Sequence, residues 1–138
     1  MVRGILDDVT VVELAQDVAG PYGSKLLADE GANVIKIEPI LGDTSRQWGP
    51  FPDDYPHLER SLSYAYYNTN KKSITLNIDS DEGKSILRRL VMQADVFIED
   101  IAPAKKAVYG LEDLSVVKPE VIHVSVTPFG VTGPYRHY

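Results

Sequence analysis

Residues 9–38 read VTVVELAQDVAGPYGSKLLADEGANVIKIE, and how this stretch folds decides the architecture of the chain. Its two ends, VTVVEL (9–14) and NVIKIE (33–38), are short apolar runs rich in β-branched residues, which predicts strands. Between them PYGSKLLADEG predicts a helix, with Pro21 suited to a first helical turn and Gly31 to the C′ position. Strand, helix and strand within about thirty residues is the length of a βαβ unit. The loop with Gly20, Pro21 and Gly23 looks like the start of a nucleotide-binding unit, but it lacks the G-x-G-x-x-G spacing that lets backbone approach a pyrophosphate. Glu38 stands where a ribose-binding acid would, yet acids at strand ends are common. On residue types alone the loop reads as a tight strand-to-helix turn, and a dinucleotide site is disfavoured.

Working outward, SITLNI (73–78), DVFIE (95–99) and VIHVSV (121–126) predict three more strands. The clearest helix is 81–94. Ser80 is its N-cap, Asp81 and Glu82 lie in the first turn and Arg88 and Arg89 nearer the end, as the helix dipole favours. Ile86, Leu87, Leu90 and Val91 form its apolar face. Shorter helices are expected near 104–109 and 111–117. Strands alternating with helices predict an α/β fold: a Rossmann-like three-layer domain with a mostly parallel sheet. Residues 1–138 read as a single domain, with a long irregular loop at about 39–70 that holds four of the nine prolines. Loops of that length in compact domains are usually functional or disordered; the aromatics Trp48, Tyr64, Tyr66 and Tyr67 favour a packed, functional one here, and it leaves from the carboxyl end of a strand, where α/β sheets bind ligands.

Composition narrows the function. A chain that is 43% hydrophobic and 25% charged falls in the globular range. A net charge of −6 gives no basic face for nucleic acid, so no nucleic-acid partner is expected. With no cysteine, disulfides, thiolate zinc sites and cysteine nucleophiles are excluded. His57, His123 and His137 show no metal-ligand spacing, so no metal is expected. The N-terminus does not read as a secretory signal, and the longest uncharged run is broken by Pro128, Gly130, Gly133 and Pro134. The expectation is a soluble, cytoplasmic protein with no membrane segment.

Few side chains carry an evident task. Arg46 in GDTSRQWGP (42–50) reads either as an anion contact or as a guanidinium stacked on the Trp48 indole. Lys71 and Lys72 read as solvated lysines at a strand start. Lys105 and Lys106 are expected at the start of a short helix, where cations oppose the dipole.

The order of the motifs goes further. LDDVTVVELAQDVAGPYGSKLLADEGANVIKIEP (6–39), GDTSRQWGP (42–50), YYNTNKKSITLNI (66–78), EGKSILRRLVMQADVFIED (82–100) and GLEDLSVVKPEVIHVSVTPFGVTGPY (110–135) together resemble the N-terminal part of the family III CoA-transferases. That group includes formyl-CoA and carnitine CoA-transferases and the related α-methylacyl-CoA racemases. The resemblance covers essentially the whole chain. It implies coenzyme A carried as acyl-CoA, a carboxylic acid acceptor, an aspartyl intermediate formed by nucleophilic catalysis, and an interlocked homodimer. It also implies that Gln16, Asp17, Val18 and Ala19 line the thioester end of the pocket and that Leu76 packs on adenine.

Three positions depart from the family pattern. Pro39 replaces an arginine frequent near the ribose phosphate. Asp100, in EDIAPA (99–104), replaces the asparagine of an E-N-F-R-P-G pattern. Val108, ahead of Tyr109 and Gly110, replaces a basic residue. Either Lys105 and Lys106, one turn earlier, restore the lost charge, or CoA affinity is reduced. The family's aspartate nucleophile and the racemases' acid–base pair lie beyond the GPY segment, and none of Asp43, Asp53, Asp54, Asp79, Asp95 or Asp113 matches the nucleophile. The chain is therefore expected to be the CoA-binding part of a longer transferase, inactive alone. Two other readings stay open: part of a racemase, or a non-catalytic binding module.

Overall fold

In a computed structural model that describes residues 4–112 and 114–136, five parallel strands form one sheet. The strands are β1 (Thr10–Leu14), β2 (Asn33–Glu38), β3 (Lys72–Thr75), β4 (Val96–Glu99) and β5 (Ile122–Ser125). Their order across the sheet is β3-β2-β1-β4-β5. Asp113 and His137 lie outside the described residues. The sheet is thus wholly parallel, and the chain reverses its direction of travel between β1 and β4. That reversal opens a crevice at the carboxyl ends of these two strands, the usual ligand position in an open α/β sheet.

Side chains alternate along each strand, so neighbouring residues feed opposite layers. Val11, Val34 and Ile98 pack on one face with Ala28 of helix α1 (Ala19–Asp29). Val12, Ile37 and Phe97 pack on the other with Leu87 and Val91 of helix α3 (Asp81–Val91) and Leu114 of helix α5 (Leu114–Val117). Phe97 is completely buried, and truncation to alanine there costs about 3–5 kcal/mol. The expected α1 turns out to start two residues before Pro21, and it ends where Gly31 takes a left-handed φ of 105°, a conformation that favours glycine.

Several expectations need correction. Strand β3 ends at Thr75 rather than at residue 78. The Leu76 N–H still reaches Glu38 O at 2.9 Å, but Asn77 then opens a turn, and Leu76 and Ile78 fold over the core instead of extending the sheet. On α3 the buried face is Gly83, Leu87 and Val91, while Ile86 stays 40% exposed. The stretch 39–70 is not irregular throughout. It holds two 3-10 turns, Thr44–Gln47 and Pro52–Asp54, and helix α2 (Leu62–Tyr67). Ser61 caps α2 by accepting from Tyr64 N at 3.0 Å, and its hydroxyl also donates to Trp48 O at 2.6 Å, which ties helix to loop. Helix α4 runs Pro103–Lys106, so Lys105 and Lys106 sit at its carboxyl end and the expected conflict with the dipole is absent.

Candidate functional site

Strands β1 and β4 end at Leu14 and Glu99, and the residues just beyond them meet across the crevice. Gln16 N donates to Asp100 Oδ2 at 2.8 Å. Burial pushes the Asp100 carboxyl above the ordinary carboxylate range; the Gln16 N–H opposes this and nearby Asp17 adds to it. On the other side, Thr44 N reaches Gln16 Oε1 at 3.4 Å and the Thr44 hydroxyl donates to Asp17 Oδ1. Asp17 holds a left-handed φ of 63°, which aspartate tolerates better than most residues. The loop is therefore gripped from β4 and from the first 3-10 turn.

Clefts open on both sides of this grip. Gln16, Asp17, Ala19 and Asp100 share one of about 410 Å³ with Thr127 and Pro128. Gln16, Pro39, Leu76 and Asp100 share a small cavity of about 60 Å³ over the ends of β1 and β2, continuous in lining with a wider cleft that reaches Asp79. Six of the residues singled out from sequence are thus brought to one crevice, Gln16, Asp17, Ala19, Pro39, Leu76 and Asp100, while Lys105 is exposed on α4. Val18 is the N-cap of α1 and turns outward, 40% exposed. Val108 is also exposed, and Tyr109 packs against the same core cluster as Leu76, its O–H donating to Asp79 Oδ1 at 3.0 Å at the edge of the wider cleft. Lys106 turns beneath the strand ends, 2.7 Å from both Glu99 Oε1 and Ser125 Oγ.

The two loop glycines do different things. A Cβ on Gly20 would sit 2.4 Å from the Ala15 Cβ, so Gly20 permits close helix–strand packing. A Cβ on Gly23 would meet nothing within 4 Å. Neither supplies the pyrophosphate approach of a dinucleotide fingerprint.

Glu38 is not free for a ribose either. Arg46 Nε and NH2 donate to its two oxygens at 2.7 and 2.9 Å, Tyr64 O–H at 2.6 Å, Asp43 N at 2.9 Å, and the Ser73 hydroxyl joins them. Burial alone would raise this carboxyl; the five donors hold it well below the ordinary range. Both sequence readings of Arg46 are corrected. Its guanidinium binds an internal carboxylate and stacks on Tyr64, 3.7 Å from the ring centroid, rather than on Trp48. Lys71 is corrected too: its side chain is 1% exposed and pairs with Glu13 at 2.7 Å.

Sequence reading also missed Glu13, Lys36 and Thr44. A signal for the first two existed. They are opposite charges inside otherwise apolar strands, at positions that a parallel β1–β2 register sets side by side. Thr44 has no such signal, because its role depends on how the loop folds back. Among the described residues no cluster of His, Asp or Glu could hold a metal, and no helix is long and apolar enough to cross a membrane.

The model of CoA-transferase family III matches residues 6–138. This chain belongs to that family. It is 44% identical over 143 residues to a succinate–glutarate CoA-transferase of Agrobacterium fabrum, covering 96% of this chain and 34% of the relative. A succinyl-CoA–D-citramalate CoA-transferase of Chloroflexus aurantiacus is 42% identical over 134 residues, with 95% and 32% covered. The crystal structure of a CAIB/BAIF family protein from Brucella suis superposes with a TM-score of 0.88 at 40% identity, covering 98% of this chain and 36% of that one. The chain therefore spans about a third of the length of the curated relatives it matches.

Proposed function

We propose that residues 1–138 form the CoA-binding part of an enzyme that moves CoA from an acyl-CoA to a carboxylic acid acceptor. The observation that carries this reading is the crevice at the β1/β4 reversal, where Gln16 and Asp100 meet in a chain whose family is CoA-transferase III. In this proposal the Gln16–Ala19 loop faces the thioester, Leu76 and Pro39 border the nucleotide end, and the attacking carboxylate comes from outside the described residues. Transfer is favoured over racemisation because the relatives named above are transferases. The activities these relatives are named for make succinyl-CoA the donor, and a short dicarboxylic acid such as glutarate the acceptor, to test first.

Of the two candidate lysines on α4, Lys105 is the one whose ammonium is exposed to meet a phosphate, since Lys106 is paired with Glu99. We propose further that two copies pair as a homodimer, and that the enzyme works in the cytoplasm, with which the absence of cysteine from residues 1–138 is compatible. The test uses the full-length protein with succinyl-CoA and a panel of acids, reading new CoA esters by mass. Formation of glutaryl-CoA or another ester is the expected result. Calorimetric CoA binding without any ester formed would favour the non-catalytic binding module, and absence of both would overturn the reading.

A further inference from the structure

Beneath the ligand-facing loop lies a polar cluster sealed from solvent, and no step of the proposed reaction uses it. The Glu13 carboxylate at its centre is completely buried. Lys36 Nζ lies 2.9 Å from Glu13 Oε1 and Lys71 Nζ 2.7 Å from Glu13 Oε2, where Ser24 Oγ also donates at 2.5 Å. Burying charges is costly, and a set like this persists only when each group is paired and hydrogen-bonded. The remaining ammonium protons show what the cluster holds. Lys36 Nζ donates to Ala15 O at 2.8 Å, and Lys71 Nζ donates to Pro21 O at 2.8 Å and to Asn68 Oδ1 at 2.9 Å.

Ala15 and Pro21 bracket the segment 16–20, which carries every loop residue that faces the clefts. Lys36 also lies 2.6 Å from Asp43 Oδ2. Asp43 in turn accepts from Ser45 N at 2.8 Å, capping the 3-10 turn whose first residue, Thr44, grips Gln16 and Asp17. Each ammonium therefore acts on the loop at its flanks, and Lys36 acts a second time through the opposing turn.

We propose that Lys36 and Lys71 are positioning residues that set the geometry of the Gln16–Gly20 loop from beneath. Neither touches the clefts. Lys71 comes from the segment before β3, passes over β2 and ends under the first turn of α1, so it couples three elements to one loop. Its loss is the milder of the two. Without it, Glu13 keeps Lys36 and the Ser24 hydroxyl, whose single proton points to Glu13 at 2.5 Å with Pro21 O as the more distant alternative at 3.1 Å. Without Lys36, both Glu13 and Asp43 lose a buried partner, and the fold itself is at stake.

The control comes from the opposite pole of the sheet. Lys118 is 8% exposed, and its ammonium holds two backbone carbonyls, Met92 O at 3.0 Å and Ala94 O at 2.5 Å. Lys71→Met and Lys118→Met thus remove the same kind of group from sites on and off the loop. The experiment is amide hydrogen exchange on the full-length protein and both variants, comparing the segment 15–22 with α3. Lys71→Met is expected to speed exchange in 15–22 by about tenfold, the factor that one lost charge-assisted hydrogen bond supports, with α3 unchanged; Lys118→Met is expected to leave 15–22 as in the parent.

Equal effects of the two variants on 15–22, or none from either, overturn the proposal. Should Lys71→Met fail to fold, Lys71→Gln keeps a donor without the charge and gives the same comparison. The catalytic arm rests on the transferase reading: kcat for CoA transfer falls at least tenfold in Lys71→Met while KM for the acyl-CoA changes less than about threefold. A parent protein without transfer activity defeats that reading alone, because the exchange result still decides the role of the lysines.

Discussion

Replacing Arg46 with leucine tests a buried carboxylate that accepts five hydrogen bonds. The substitution removes two charge-assisted hydrogen bonds to Glu38, a stacking contact with Tyr64 and an ion pair to the exposed Glu59. The Glu59 pair is solvated and contributes little. The Glu38 pair is different, because its carboxylate is 2% exposed and stays ionised after the arginine is gone. Breaking a buried pair by removing one partner costs about 3–5 kcal/mol. Tyr64, Ser73 and Asp43 N remain as donors to Glu38, which puts this case near the lower end, about 3 kcal/mol. With a urea slope of about 2 kcal/mol per molar, the denaturation midpoint drops by about 1.5 M. Glu38→Gln and the double variant complete a cycle, in which the coupling between the two residues is expected to be about 2 kcal/mol. A midpoint shift below about 0.3 M, or a coupling indistinguishable from zero, would mean that the pair is solvated and the burial argument wrong.

Other outcomes follow from single contacts. Gly20→Ala forces a Cβ to within 2.4 Å of the Ala15 Cβ and destabilises by about 1–3 kcal/mol, whereas Gly23→Ala meets open space in a helix interior and stabilises by up to about 1 kcal/mol; paired melting curves check both. Glu99 is raised by burial, but donors from His123, Lys106, Ser125 and Ile101 N hold it at about 2, below its ordinary 4.5. The unfolded chain therefore binds more protons between those values, so stability from Glu99 is complete above about pH 4.5 and is lost as pH falls towards 2. Glu99→Gln should flatten that acid limb in denaturation measured against pH. Asp100→Asn keeps an acceptor for Gln16 N–H while removing a charge from the crevice, so CoA binds several-fold tighter by calorimetry. Asp100→Leu leaves that N–H unpaired at a cost of about 1–3 kcal/mol and weakens binding.

The layers of the fold were legible because period-2 and period-3.6 patterns report burial directly. Val11 and Val12, or Phe97 and Ile98, separate to opposite faces as their alternation requires. Strand ends were less legible: Leu76 and Ile78 are apolar because they cap the core, and an apolar run carries no mark of where backbone pairing stops. In the crevice, Gln16, Pro39 and Asp100 were singled out through the family resemblance, and the strand order that brings the ends of β1, β2 and β4 together is visible only in the fold. The partners of Arg46 and Lys71 could not be read from sequence. A lysine drawn as solvated and a lysine 1% exposed have the same local sequence, and only the path of residues 39–70 across the sheet distinguishes them.

The charged residues obey a common rule that bears on how an anionic ligand is held. Strands β1, β2 and β4 each carry a buried glutamate at or near the carboxyl end: Glu13, Glu38 and Glu99. Each is neutralised by cations from elements that follow in the chain: Lys36 and Lys71, Arg46, and Lys106. These pairs staple the crossover segments to the sheet and consume the basic side chains nearest the crevice. The three clefts bordering Gln16 accordingly contain no lysine or arginine in their lining, while Asp17, Asp79 and Asp100 are present. A ligand with several phosphate charges gains little from such a surface. In the proposed function this places the thioester and acyl end beside Gln16–Ala19 and the uncharged adenine beside Pro39 and Leu76, while the phosphates draw on cations outside these three clefts, such as Lys105. Reversing Lys105 to glutamate should weaken CoA binding with a steep salt dependence, whereas reversing Lys106 should act through stability, because Glu99 would then face a second buried carboxylate.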